Sequence, residues 1–275
     1  MDEKLNSSGE RLGGYSADII TMEHLHRYAL TFPYIKNKKV LDIACGEGYG
    51  SYLMSSITAE MTGVDINEKV IQTATAKYKR SGLRFLSGSA LKIPMPDASV
   101  DVIVSFETLE HLSEHDKMML EFKRVLIPGG LLIISTPDKL NYSDKTGHKN
   151  IYHLKELYLH EFRSLLSQYF LAQRVSYQYS GLFSVIIPEQ ATGIHSVYSG
   201  NFSQINDTNE SKAPFLVAFA SDKHLPEQTT SHFYIDQLLE SLLKETADDI
   251  RSTFSYRTGH FILNPLKWIK KLISK

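Results

Sequence analysis

Residues 40–50, Val40-Leu-Asp-Ile-Ala-Cys-Gly-Glu-Gly-Tyr-Gly50, constrain the fold of this chain more than any other stretch. Val40, Leu41 and Ile43 have the character of a buried strand. Gly46, Gly48 and Gly50 then remove side chains from the next turn, so that backbone can approach a ligand closely. Ser51 to Ile57 can open a helix, whose first N–H groups have no partner within the helix. A strand, a bare turn and a helix in that order begin an α/β unit built around a nucleotide-type cofactor.

The downstream sequence repeats the alternation. Residues 60–66 and 83–90 read as strands, and 100–106 as a β-branched run buried on both faces. Residues 131–136 form a further strand after Pro128-Gly-Gly130 stops the preceding helix. Asn67 is placed as an N-cap, with Val70, Ile71, Ala74 and Tyr78 on a buried helix face, and Ser113 with Asp116 has the spacing of a capping box. Leu154, Leu157, Tyr158, Phe162, Leu165, Leu166 and Tyr169 mark an amphipathic helix. Strands alternating with helices predict a parallel sheet covered on both faces. Residues 174–187 and 214–220 read as two strands with no helix between them, hence a hairpin at one edge. The polar insertion 189–212 is long for a loop and reads as functional or mobile.

Three regions follow: a helical cap segment (1–37), an α/β domain (38–225) and a helical, basic amphipathic tail (226–275). In the cap, a helix over 15–35 carries Glu23-His-Leu-His-Arg-Tyr28. That patch is either a solvated face or a lid over the cofactor, with Arg27 or Tyr15 near its carboxylate. In the tail, Ile235, Leu238, Leu239, Leu242 and Leu243 form an apolar stripe suited to packing on the body or to pairing two copies as a homodimer. The last 25 residues hold six Lys and Arg and no Asp or Glu. Within 261–275, Trp268 and the lysines suit a bilayer interface or a docking contact with a partner such as a glycosyltransferase.

A net charge of −1 argues against a nucleic-acid partner held by bulk electrostatics. The single cysteine, Cys45, forms no intramolecular disulfide and fits a reducing cytoplasm. The N-terminal residues lack a signal-peptide core, and no run approaches the roughly 20 apolar residues of a membrane span. The expected location is the cytoplasm, peripheral at the inner membrane face if the tail docks there.

The turn also discriminates between cofactors. A dinucleotide fingerprint needs Gly-x-Gly-x-x-Gly; here the third glycine comes one residue early, and position 51 is serine. Asp42, just ahead of the turn, would repel a pyrophosphate but accept hydrogen bonds from an ammonium group. S-adenosylmethionine (SAM) fits better.

Four motifs in order then resemble the class I SAM-dependent methyltransferases. They are the 40–50 turn, Gly63-Val-Asp-Ile66, Pro96-Asp-Ala-Ser-Val-Asp101 leading into Ser105-Phe-Glu-Thr-Leu-Glu-His-Leu112, and Arg124-Val-Leu-Ile-Pro-Gly-Gly-Leu-Leu-Ile-Ile134. The resemblance implies a doubly wound, Rossmann-like sheet of seven mostly parallel strands with the last one reversed. It places Asp42, Ala44, Gly46 and Gly48 around the methionine half of SAM, and Asp65 on the ribose hydroxyls. Ile66 would pack on adenine, Ser89 and Ala90 would lie at the adenine edge, and Phe106 would line the methyl-donor pocket.

A sugar hydroxyl as acceptor needs a proton acceptor, and histidine is the usual base near neutral pH. His111 after the fourth strand, His153 after the fifth, and Glu107 are the candidates; Asp138, Tyr142 and Tyr152 read as substrate-orienting groups or loop packing rather than proton acceptors. No Cys/His cluster has zinc spacing, and only Asp138 with Asp144 suggests convergent carboxylates, so a metal-independent reaction is expected. The leading Glu23–Tyr28 patch, the Glu47-Gly-Tyr-Gly50 turn and the Tyr142 loop are similar to methyltransferases of surface-polysaccharide synthesis. That narrower likeness implies O-methylation of a nucleotide sugar or surface glycan. A small-molecule O- or N-methyltransferase and a non-catalytic SAM-binding or membrane-docking subunit are the alternatives.

Overall fold

The computed structural model describes residues 18–189, 198–200, 205–207, 213–235 and 238–253. Tyr15 and the basic end 254–275 lie outside the described residues, as do most of 190–212, so the expectations placed there have no structural counterpart.

Eleven strands are present among the described residues: β1 (Lys39–Ile43), β2 (Glu60–Asp65), β3 (Leu83–Ser87), β4 (Val100–Ser105), β5 (Leu126–Pro137), β6 (Ala172–Ser180), β7 (Ser184–Pro188), β8 (Tyr198–Gly200), β9 (Ile205–Asp207), β10 (Phe215–Ser221) and β11 (Ser231–Phe233). Nine form one sheet in the order β11-β7-β6-β10-β5-β4-β1-β2-β3, while β8 and β9 pair separately. The pairs among β1 to β5 are parallel, and β10 runs antiparallel to both β5 and β6. The expected reversed strand is present but not at the edge. Six of the seven residues of β10 are buried, so it needs partners on both sides and lies between β5 and β6. The edge is supplied by β7 and β11, because the segment expected as one strand over 174–187 turns back at Gly181-Leu-Phe183.

Six α-helices accompany the strands: α1 (Ile19–Ile35), α2 (Tyr49–Met54), α3 (Glu68–Lys77), α4 (His115–Val125), α5 (Leu159–Tyr169) and α6 (Leu238–Ser252). The side-chain alternation of the strands sorts them onto two faces. Leu41, Ile43, Ile103, Leu132 and Ile134 pack with Phe122 of α4 and Phe162 and Leu166 of α5. Val40, Val102, Val104 and Ile133 pack with Tyr28 and Ile35 of α1 and Met54 of α2. Each fully buried side chain of this kind contributes about 1.5–3 kcal/mol by area transfer, which fixes register along both faces.

Local signals account for most helix ends. Asp18 caps α1, accepting from the Thr21 amide at 2.6 Å, and Asn67 caps α3 through the Lys69 and Val70 amides. The Ser113–Asp116 capping box does not form; α4 begins after Glu114 without a side-chain cap. Leu154 and Leu157 precede α5, because Glu110 holds the 154–155 backbone in a loop. Part of the late stripe packs on the body: Ile235 and Leu238 join Met22 of α1, while Leu239 and Leu243 are exposed. No helix among the described residues is long and apolar enough to cross a membrane.

Candidate functional site

The strand order reverses direction between β1 and β4, and ligands of open α/β sheets bind at such a switch point, beyond the C-terminal strand ends. A cavity of about 820 Å³ lies there, lined from β1, β2, β4, α1 and the loop after β5.

Backbone forms its floor. Ala44 has φ 61° and Gly46 φ 53°, so the chain turns sharply as it leaves β1. A Cβ on Gly46 would meet no atom within 4 Å, which leaves open the space above the turn. Gly50 has the opposite role. A Cβ there would lie 2.0 Å from the Tyr28 ring, so the missing side chain lets α1 pack onto α2. Asp65 ends β2 with Oδ2 accepting from the Gly46 amide at 3.0 Å and Oδ1 from the Asn67 amide at 2.9 Å. The carboxylate lies on the cavity wall. Ile66 beside it is 72% exposed, an apolar face ready for a flat ring. Ser89 and Ala90 follow along the same wall, the Ser89 hydroxyl accepting from the Leu91 amide at 3.1 Å.

Two residues expected at the cofactor lie off the cavity wall. Asp42 does not line the cavity: it is 1% exposed and accepts a 2.7 Å hydrogen bond from the Ser51 hydroxyl. Burial, with the Asp65 charge adding to it, pushes its pKa up to about 7 against the opposing Ser51 bond. Its position in the middle of β1 points it beneath the turn, where it braces α2. Gly48 also lies off the wall and packs against Phe85 and Ala74.

The α1 patch is a buried wall rather than a solvated face. Arg27 is 1% exposed; its Nε donates to Gln178 Oε1 at 2.7 Å, and its guanidinium stands 4.6 Å over the Phe215 ring. Nη1 lies 3.5 Å from Glu107 Oε1 and makes no hydrogen bond among the described residues, although it is buried. His24 meets the Tyr49 hydroxyl at 3.2 Å; burial, then the Arg27 charge, lowers its pKa to about 3, so it is neutral.

The opposite end is polar. Glu107 takes a left-handed φ of 49°, a strained conformation for a residue with a side chain, and Oε1 accepts from the Ser135 hydroxyl at 2.5 Å. Three residues on, Glu110 is 1% exposed, and burial, then the Glu107 charge, raises its pKa well above the carboxylate range. His111 and His153 face each other edge-on with ring centroids 5.2 Å apart, and Tyr142 stacks on His153 at 5.5 Å. The backbone brings the two loops together: the Leu154 and Lys155 amides donate to the Glu110 carbonyl at 2.8 and 3.0 Å.

Thus Arg27, Ala44, Gly46, Asp65, Ile66, Ser89, Ala90, Phe106, Glu107, His111 and His153 share one cavity. Sequence reasoning missed Glu110, His24 and Tyr49 on that wall. Glu110 was signalled by its place three residues after Glu107 and directly before His111.

Residues 41–134 match the family described as the methyltransferase domain. That stretch resembles a methyltransferase domain. The first curated relatives it matches are named as probable S-adenosylmethionine-dependent methyltransferases. Over 130 residues the chain is 37% identical to a probable S-adenosylmethionine-dependent methyltransferase of Mycolicibacterium smegmatis, covering 47% of this chain and 50% of that one. It is 33% identical over 115 residues to phthiotriol/phenolphthiotriol dimycocerosates methyltransferase 1 of Mycobacterium ulcerans, covering 40% and 42%. The YcgJ protein of Bacillus subtilis shares the fold with a TM-score of 0.54 at 18% identity, over 73% of this chain and all of that one. The chain spans about half the length of the first curated relatives it matches.

The residues of this cavity fit SAM. The space above Gly46, the Asp65 carboxylate on the cavity wall and the exposed Ile66 face suit a backbone-hugging sulfonium compound with a ribose diol and a flat base.

Proposed function

We propose that the chain transfers a methyl group from SAM to a hydroxyl oxygen of a small polyhydroxylated acceptor. The observation that carries this reading is the joining, in one cavity, of the Gly46–Asp65 wall with the Glu107, Glu110, His111 and His153 group at its other end. Bound SAM supplies a methyl group on a sulfonium, already activated for departure from sulfur.

The chain's residues have the remaining tasks. Asp65 accepts hydrogen bonds from the ribose diol, and Ile66 with Ala90 flanks the base. The buried Nη1 of Arg27 is directed at an anionic group, for which the carboxylate of the cofactor is the candidate. Tyr28, Phe106 and Phe215 supply apolar wall that excludes water near the reacting atoms. A neutral hydroxyl must lose its proton as its oxygen bonds to the methyl carbon, and Glu107 with the two imidazoles at that end is placed to receive it. An amine acceptor would need no such group.

A hydroxyl acceptor is also supported by the relative whose name specifies phthiotriol, a triol. Sugars belong to the same chemical class, and Arg27, Tyr49 and Tyr142, from the segments that suggested a glycan, stand on the cavity wall. The test is transfer of tritiated methyl from SAM to panels of nucleotide sugars, glycans, lipid polyols and amines. Label on a hydroxyl oxygen supports the reading; transfer confined to amines, or none, overturns it.

A further inference from the structure

We propose that Glu110, His111 and His153 form a binding site for one divalent transition-metal cation at the acceptor end of the cavity. One donor atom from each of the three lies within 4.8 Å of the other two.

The surroundings fix the imidazoles for that task. His111 Nδ1 is 3.1 Å from the Tyr152 carbonyl oxygen. A carbonyl only accepts, so the proton sits on Nδ1 and the lone pair on Nε2, which lies 3.9 Å from Glu110 Oε1. His153 repeats the arrangement with a carboxylate: its Nδ1 is 2.5 Å from Glu156 Oε1. Its Nε2 lone pair accepts from Asn150 Nδ2 at 3.0 Å, a contact the cation would replace. An imidazole whose Nδ1–H is held by a carboxylate or backbone carbonyl, with Nε2 directed at a common point, has the outer shell of a metal-ligating histidine.

Glu110 completes the set. Thr136 donates to Oε2 at 3.1 Å, leaving Oε1 toward His111. A carboxylate this deeply buried beside the Glu107 carboxylate is costly unless a proton or a cation meets it. The histidine loop is held to the same residue, because the Leu154 and Lys155 amides bond to the Glu110 carbonyl. Two imidazoles and one carboxylate suit Zn²⁺, Mn²⁺, Fe²⁺, Co²⁺ or Ni²⁺ better than Mg²⁺ or Ca²⁺, which favour oxygen ligands. Three protein ligands on a cavity wall leave coordination positions open to an acceptor, as catalytic metal sites do.

Binding of the cation stands on these residues alone. Its role rests on the O-methyl-transfer reading: it polarises the acceptor hydroxyl and leaves Glu107 to take the proton. Asp138 and Asp144, the pair that sequence spacing suggested, are engaged elsewhere, Asp138 with Asn141 and Asp144 with the Tyr158 hydroxyl.

The test titrates chelator-stripped full-length protein with Co²⁺, read by its visible d–d absorption and by calorimetry, with SAM calorimetry on the same samples. One equivalent of Co²⁺ per chain is expected, with the band lost and SAM binding kept in His111→Ala/His153→Ala. Glu156→Gln should weaken Co²⁺ by about 10–100-fold, the usual effect of removing an outer-shell partner. No saturable Co²⁺ binding in the wild type, or unchanged affinity in the double variant, overturns the proposal. Should the double variant lose SAM binding through misfolding, unchanged Co²⁺ affinity in a folded Glu156→Gln overturns it instead. A wild type that binds Co²⁺ but not SAM overturns the methyl-transfer reading and leaves the cation site standing.

Discussion

Asp65 Oδ2 accepts a hydrogen bond from the Gly46 amide at 3.0 Å, linking the end of β2 to the turn after β1. The residues are 19 apart in sequence, and the parallel pairing of β1 with β2 brings them together. The bond holds the glycine turn open at the place where a ribose carboxylate partner is needed, so one contact serves both the floor and the wall of the cavity.

The two glycines flanking this turn should respond differently to alanine. Gly50→Ala places a Cβ 2.0 Å from the Tyr28 ring and should cost about 2 kcal/mol in urea unfolding, as overpacking does. Gly46→Ala meets no neighbour and has only its φ of 53° to oppose it, about 1 kcal/mol. Its larger effect should be on SAM affinity, because the methyl enters the cavity.

Arg27 holds α1 to the sheet through Gln178 and faces Glu107. Arg27→Ala removes the ion-pair partner of the half-buried Glu107 and the donor to the buried Gln178 Oε1, which should destabilise the protein by about 3 kcal/mol. Arg27→Lys keeps the charge but loses the planar fork, so it should recover only part of that loss in thermal unfolding.

His26 gives stability a definite pH dependence. It is buried between the Ser184 and Ser231 hydroxyls at 2.8 and 2.9 Å and stacks on Phe233. Burial first, then the Arg27 and His232 charges, lowers its pKa to about 4. The unfolded chain takes up this proton near pH 6.5 and the folded protein only near pH 4, so stability falls as pH drops through that window and then levels. The loss is about 3 kcal/mol at most. His26→Gln should reduce the slope of the urea-midpoint profile between pH 6.5 and 4, leaving the part that His24 carries through its own lowered pKa of about 3; an unchanged slope would show that His26 does not contribute.

The four ordered motifs made the sheet, the glycine turn and the Asp65 wall legible, because each depends on contacts between neighbouring elements. Two features were not legible. Strand β10 enters the sheet between β5 and β6, a choice set by its burial on both faces rather than by any local signal. The meeting of Glu110, His111 and His153 depends on backbone bonds to Tyr152, Leu154 and Lys155 about 40 residues away in sequence, and periodicity carries no trace of these. Asp42 misled because its residue type suits an ammonium partner, while its place within β1 aims it under the turn at Ser51.

His111→Ala should separate chemistry from cofactor binding. The side chain stands at the acceptor end with His153 and Glu110, remote from Asp65 in the sequence and on another strand end. Turnover should fall about 100-fold or more, whether His111 takes the proton itself or holds the cation that polarises the hydroxyl, with SAM affinity nearly unchanged. A parallel loss of SAM affinity would assign His111 to cofactor binding.

The most direct measurement is calorimetric titration of the full chain and of Asp65→Ala with SAM. The wild type should bind one equivalent. Asp65→Ala should bind about 100-fold more weakly, since two hydrogen bonds to a charged acceptor are lost. A wild type that gives no SAM binding, or an Asp65→Ala variant whose affinity stays within about twofold of it, would contradict the account.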